Sequence, residues 1–313
     1  MRRAVLLALV LVASPSASRL LPVARADDAE AQRLLREAYD RWKDETPDRC
    51  LALAEQALAA EPTTGLVRAQ VLLFLGSLHQ VKTGRLEDAL ACYDELSALL
   101  KGDSSDPARR LLAQALVRQA NIVYAEHDDH EQALELLRQA QEALPLASTA
   151  DMASQLCYRL GRGASDPAER ARWLELALTL ANEAIGMAQA RPGARPGDDG
   201  GRGEEGQRRR KTFVARFRLQ LTLVLEGLGR EDEAAAAWAE VDEADLDENA
   251  HYQRALLHAV RGDLEQAGAS LRAALATRPT AATRNQLRKF VRTEPDLSAG
   301  LGREDWRALV TDE

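Results

Sequence analysis

An all-α chain of stacked helical hairpins is the fold class this sequence predicts, and three observations predict it. Hydrophobic residues make up 46% of the chain and aromatics only 4%, which points to Ala/Leu-rich helices and leaves few of the residues that strands favour. Apolar positions recur three and four apart, so each helix has one stripe to bury. A 33-residue unit also repeats: Gly229 and Gly262 stand 33 positions apart, and so do Ala234 and Ala267. A period of that size, built of two helices and a tight turn, belongs to stacked repeats in which each unit covers its neighbour's apolar flank.

Taken in order from Asp27, the first unit runs Leu34-Leu35, Ala38-Tyr39, Trp42, a turn at Thr46-Pro47-Asp48, then Cys50, Leu53-Ala54, Ala57-Leu58 and Pro62. Asp48 or Thr46 can cap its second helix, with Pro47 in the first turn. The second unit reads Leu72-Leu73, Leu75-Gly76, His79, Gly84, Leu86, Ala89-Leu90, Tyr93 and Leu96. A polar insert, Lys101 to Asp106, follows, and Pro107 can open the next helix. The third carries Val117, Ala120-Asn121, Tyr124, Asp128, Ala133, Leu137, Ala140 and Pro145. Its alanines have a physical role, since helix backbones approach closely only where no branched side chain intervenes.

The fourth unit has a first helix around Ala153, Leu156-Cys157 and Leu160, and Asp166-Pro167 caps a long second helix reaching about Ala190. That length suits a lid on the first array, because an end repeat must cover a face no neighbour buries. From Arg191 to Gln207 glycine, proline and charge replace all periodicity, so the segment reads as a flexible linker. Leu221, Leu225, Gly229, Ala234, Trp238 and Val241 then form one repeat, and Ala255, His258, Gly262, Ala267, Leu271, Ala274 and Pro279 the next. Asn285 to Val291 makes a further amphipathic helix able to cap the array.

These residues resemble the tetratricopeptide repeat family: small residues where paired helices touch, bulky ones between them, proline closing the unit. The third unit keeps the family's spacing. Leu75-Gly76 resembles the Leu-Gly pair of its first helix, with His79 where tyrosine is usual, and Gly76 to Gly84 is one residue longer than the family pattern. The tail, Glu294-Pro295-Asp296-Leu297 then Trp306-Arg307-Ala308-Leu309, resembles a closing motif in which an aromatic and a leucine fold back on the last repeat. The resemblance implies a right-handed superhelical solenoid, here two arrays joined by a disordered linker. The expected organisation is a leader at 1–26, repeats at 27–190, a linker at 191–212, a repeat pair at 213–281, and a capping helix and tail at 282–313. The family's mode of action implies a non-catalytic scaffold holding a protein or peptide in the groove lined by first helices. On the better-registered units, groove positions fall on Ala115, Arg118, Ile122 and Ala125; on Arg216, Leu219, Leu223 and Glu226; and on Asn249, Tyr252, Leu256 and Ala259. Arg118, Ile122, Arg216, Leu219, Leu223, Tyr252 and Leu256 are the candidate partner-binding residues, the arginines suited to a carboxylate.

The start of the chain reads as an export signal. Arg2-Arg3 precede an apolar run, Ala4 to Ala13, too short to span a bilayer, and Ala24-Arg25-Ala26 supplies a small-x-small cleavage site. Ala17 offers an earlier one. A periplasmic or secreted location follows. Cleavage removes four arginines and no acids, so the formal charge moves from −8 to −12, and a surface that acidic repels nucleic acid. Cys50, Cys92 and Cys157 are too scattered for a disulfide framework and fall on apolar helix faces, where cysteine acts as a small hydrophobe.

Other motifs yield to plainer readings. Gly201-Arg202-Gly203-Glu204-Glu205-Gly206 has dinucleotide-loop spacing, but no strand precedes it and two glutamates would face a pyrophosphate. Arg208-Arg209-Arg210-Lys211 would oppose a helix macrodipole and reads as the linker's solvated end. His127-Asp128-Asp129-His130 lacks a third metal ligand beyond its paired histidines and sits in a turn where Asp129 can cap. In Arg261-Gly262-Asp263, glycine holds the turn and Asp263 caps the next helix. No catalytic signature, cofactor motif or metal set is expected. The alternative to a scaffold is an accessory subunit of an envelope assembly or secretion machine; an enzyme would need converging acids or histidines in a concave pocket.

Overall fold

The computed structural model describes residues 26–42, 47–127, 129–190, 204–277, 281–304, 306 and 309. Residues 1–25 of the expected leader, Thr46, Asp128, Pro279 and residues 191–203 of the expected linker lie outside them. The described residues contain fourteen α-helices and no strand. The chain divides into two compact units, with the break between Pro145 and Leu146.

The N-terminal unit holds three hairpins: α1 (Ala26–Arg41) with α2 (Pro47–Ala59), α3 (Gly65–Leu78) with α4 (Leu86–Leu100), and α5 (Asp106–Ile122) with α6 (His130–Ala143). Each pair packs internally, and α3 also packs on α1 and α5, so first helices run side by side. Apolar clusters fill the space, among them Ala113, Leu116 and Ala140 between α5 and α6. Another joins Leu34, Leu35, Ala38, Cys50, Ala54, Val71, Phe74 and Leu78. A further one joins Leu72, Ala89, Tyr93, Leu96, Ala115 and Ile122. At about 1.5–3 kcal/mol for each fully buried large side chain, these stripes are what offset the ordering of the helices.

Helix ends follow local chemistry. Ser105 caps α5 by accepting from the Ala108 amide, with proline in the first turn, and Asp129 caps α6 by accepting from Gln132. Asp28 of α1 is buried and accepts from the backbone amides of Thr63 (2.7 Å) and Thr64 (3.1 Å), tying α1 to the start of α3. Burial alone would raise its pKa, but hydrogen bonds from Thr64 and Thr63 outweigh that and hold the carboxyl below its usual value.

The extra residue between Gly76 and Gly84 has a defined place. After Leu78 the chain makes a π-helical turn, His79–Thr83, closed by Gly84 at φ 68°. A π turn holds one residue more than an α turn, which gives the extra residue room before α4 begins; a second π turn, Val123–His127, precedes α6.

The C-terminal unit holds α7 (Ala147–Gly163) with α8 (Pro167–Ala190), α9 (Glu204–Gly227) with α10 (Glu231–Ala239), and α11 (Glu248–Val260) with α12 (Leu264–Thr277). The helix α13 (Ala281–Thr293) and the short α14 (Pro295–Ser298) follow. Asp166 caps α8 by accepting from Ala168 and Glu169. The 33-residue repeat is visible in the backbone: Gly229 (φ 71°) and Gly262 (φ 79°) hold equivalent turns. Arg230 donates its amide to Leu225 O and Asp263 to His258 O, the same five-residue closure in both. Trp306 is fully buried, and a Cβ on Gly268 or Gly300 would meet its ring at 2.6 and 2.5 Å.

Two expectations need correction. The fourth hairpin belongs with the helices that follow residues 191–203 rather than with the first array: α7 and α8 both pack on α9 within the C-terminal unit. Ala150, Ala184 and Phe217 share one apolar cluster there, which joins the helices before and after residues 191–203. Residues 204–212 are also helix rather than linker. Glu205 pairs with Arg209 one turn on at 2.5 Å, and the exposed basic run continues as helix into the buried stripe that begins at Ala215 and Phe217.

Ala133 is fully buried on α6, which packs on α5. Ala133→Arg is expected to cost about 1–3 kcal/mol or more. A circular-dichroism melt should show a midpoint several degrees lower, and an unchanged midpoint would remove Ala133 from the helix contact.

Candidate functional site

The first-helix side of the N-terminal unit carries a row of aromatic and cationic side chains. Tyr39 of α1 meets Phe74 of α3 at a tilt, with ring centroids 4.2 Å apart, and Trp42 meets the same ring at 5.4 Å. The Lys82 ammonium lies 5.2 Å from the Trp42 ring centroid, and Tyr39 remains 41% exposed. Arg118 of α5 is half-buried and lies near enough to the Tyr93 hydroxyl to act on it electrostatically. That hydroxyl donates to Gln80 Oε1 at 3.1 Å. Arg118 also sits near enough to Tyr39 to act on its hydroxyl electrostatically. Among the described residues no carboxylate pairs with it.

The other six candidates are placed elsewhere than an open groove. Ile122 and Leu219 are 0% exposed, and Leu223, Tyr252, Leu256 and Arg216 are all buried. Ile122 belongs to the cluster shared by α3, α4 and α5. Tyr252 donates its hydroxyl to Thr283 O at 3.2 Å and packs on Phe290, which fastens α13 to α11. Groove numbering fails here because neighbouring first helices lie close enough to consume those positions as core. Glu226 is also engaged, accepting from Arg261 at 2.8 Å.

Arg216 has an internal role. Its guanidinium lies 3.6 Å from Asp151 of α7 and sits 5.2 and 5.4 Å from the rings of Phe213 and Phe217. Asp151 is fully buried and also accepts from Gln155 at 2.9 Å. Burial dominates over the attraction to Arg216 and pushes the Asp151 pKa up to about 6. Ser154 donates to Ala177 O at 2.8 Å nearby, so α7, α8 and α9 share a polar seam inside an apolar core.

The remaining motifs are structural. His130 meets Tyr124 edge-on, His127 lies 3.8 Å from Glu87, and among the described residues no group of three metal-capable side chains converges. Asp263 caps α12 by accepting from Gln266, as its place after Gly262 predicts. Cys50 and Cys157 are buried and Cys92 is half-buried. Burial raises the Cys157 thiol to about 12 and, with Glu95 and Asp88 adding to it, Cys92 to about 11, so neither is a ready nucleophile. Tyr39, Tyr93 and Gln80 are the site residues that sequence reasoning missed; only contact across helices identifies them.

No protein-family model and no curated protein matches the chain. Among solved structures, a tetratricopeptide repeat protein from Parabacteroides merdae aligns over 84% of this chain and 99% of its own, at 13% identity and a TM-score of 0.39. A thermophilic protein of the same repeat class from Thermus thermophilus aligns over 83% and 98%, at 20% identity and a TM-score of 0.34. Both likenesses are distant, and the tetratricopeptide-like fold rests on the hairpins themselves: first helix against first helix, with the same glycine turn at a 33-residue interval.

Tyr252→Ala is expected to lower stability by about 3 kcal/mol or more, read as a fall in the denaturation midpoint, because it empties a packed contact. Asp151 gives a pH signature. Its folded pKa is raised, so well below pH 4 it is protonated in both states and carries no penalty. As pH rises towards 6 the unfolded chain releases this proton and the folded chain holds it, so stability falls, and the loss is complete above pH 6. The difference in stability between the protein and Asp151→Asn should therefore change by on the order of 2–3 kcal/mol between pH 4 and 6.5. Parallel pH curves for the two proteins would refute the assignment.

Proposed function

We propose that this chain is an exported, non-catalytic scaffold that captures a protein or peptide on the first-helix side of its N-terminal unit, with Arg118 receiving a carboxylate. One observation carries the reading: Arg118 is a half-buried cation within electrostatic reach of Tyr39 and Tyr93, with no carboxylate paired to it among the described residues. A buried arginine gains most from an ionised acceptor, since charge-assisted hydrogen bonds strengthen as water is excluded. Tyr39 beside it supplies an exposed aromatic surface for the neighbouring part of the ligand. Export is supported by the arginine pair, short apolar run and Ala24-Arg25-Ala26 at the start of the sequence. No described helix is long and apolar enough to cross a membrane.

The test is a crosslinking pull-down from the envelope fraction of the source cell, made with the protein and with Arg118→Glu. The variant should keep its helical circular dichroism and lose the partner. Equal capture by both would sink the Arg118 surface. One co-purifying assembly would mark a subunit of an envelope complex, whereas several peptide-bearing clients would mark a general scaffold.

A further inference from the structure

In the C-terminal unit, two arginines of α7 hold carboxylates from a segment 134 and 135 residues further along. Arg159 Nη2 donates to Glu294 Oε1 at 2.6 Å, with both side chains largely removed from solvent. Arg162 Nη2 lies 2.9 Å from each Asp296 oxygen, while its Nη1 donates to the Tyr158 hydroxyl at 3.3 Å. Between these acids Pro295 opens α14, and Leu297 beyond them is fully buried where α14 packs on α11.

This arrangement is unusual for stacked hairpins, in which each layer touches only its neighbours. The helix α7 belongs to the first hairpin of this unit and α11 to the third, so Glu294–Leu297 reaches past the hairpin of α9 and α10. It does so as a ligand would: two acids on two arginines, one leucine in an apolar seat, and a proline that limits the freedom lost on docking. The outer pair, Arg162 with Asp296, is partly exposed at 38% and 27%, so the contact is screened by salt and opens at modest cost.

We propose that Arg159 and Arg162 form a site for a short acidic segment of a partner protein, and that Glu294–Leu297 is its built-in occupant, a strap that such a segment displaces. The proposal stands apart from the Arg118 surface, which belongs to the other unit, so either can fail alone.

The probe is a fluorescein-labelled peptide carrying residues 292–300. Against Glu294→Gln/Asp296→Asn/Leu297→Ala, which frees the strap while leaving Trp306 in its seat, it should bind at least tenfold tighter than against the unaltered protein. Adding Arg159→Gln/Arg162→Gln should abolish that gain. Equal affinity for the first two proteins, or a gain that survives loss of both arginines, overturns the proposal. Should the strap variant fail to fold, hydrogen exchange on the unaltered protein decides. Peptide at about 5 mM, matched to a tethered segment whose effective concentration is on the millimolar order, should speed exchange of the α14 amides and leave α12 protected. Unchanged α14 exchange also overturns it.

Discussion

Close contact between helix backbones at alanine is the constraint on which this molecule depends. Ala89, Ala115, Ala133 and Ala140 in one unit, and Ala177, Ala181, Ala234, Ala250, Ala255, Ala267 and Ala274 in the other, are all buried where helices meet. A methyl side chain lets neighbouring helices approach until leucines and aromatics on either side interdigitate. No hairpin can hide its stripe alone, so order in one layer is conditional on the next. The burial of Leu219, Leu223 and Tyr252 follows from the same closeness: first helices that pack this tightly have little inner surface left to offer.

Polar chemistry is then confined to a few sites, and each acts as a fastener. Asp28 joins α1 to the start of α3, the Asp151–Arg216 pair joins α7 to α9, and Tyr252 joins α11 to α13. These groups are buried, so their free energies depend on pairing rather than on exposure, and their pH responses differ in sign. The lowered Asp28 carboxyl adds stability that disappears as pH falls through its folded value, whereas the raised Asp151 carboxyl withdraws stability as pH rises towards 6.

Much of the fold was legible because helical periodicity is a local signal. The hairpins, the caps at Asp129, Asp166 and Asp263, the turns at Gly229 and Gly262, and the folded-back Trp306 could all be read from spacing and residue type. The unit boundary was not legible, because a glycine- and proline-rich stretch marks weak local order and says nothing about packing across it. Phe217 against Ala150 and Ala184 is a contact between residues far apart in the chain, and composition cannot register it. The candidate groove failed likewise: position within a first helix gives a direction, but how near the neighbouring helix comes decides whether that direction ends in solvent. Arg118 is only half-buried, as expected of a guanidinium that resists full burial without a counter-charge.

The π turn at His79–Thr83 has a consequence for how such a chain can change its length. One additional residue inside α4 would rotate everything after it by about a hundred degrees and swing Ala89, Tyr93 and Leu96 away from the cluster they complete. At the bend, the same residue only widens one loop of backbone, and the next helix starts in register. Bends of this kind let a layered protein drift in sequence length while its layers stay aligned.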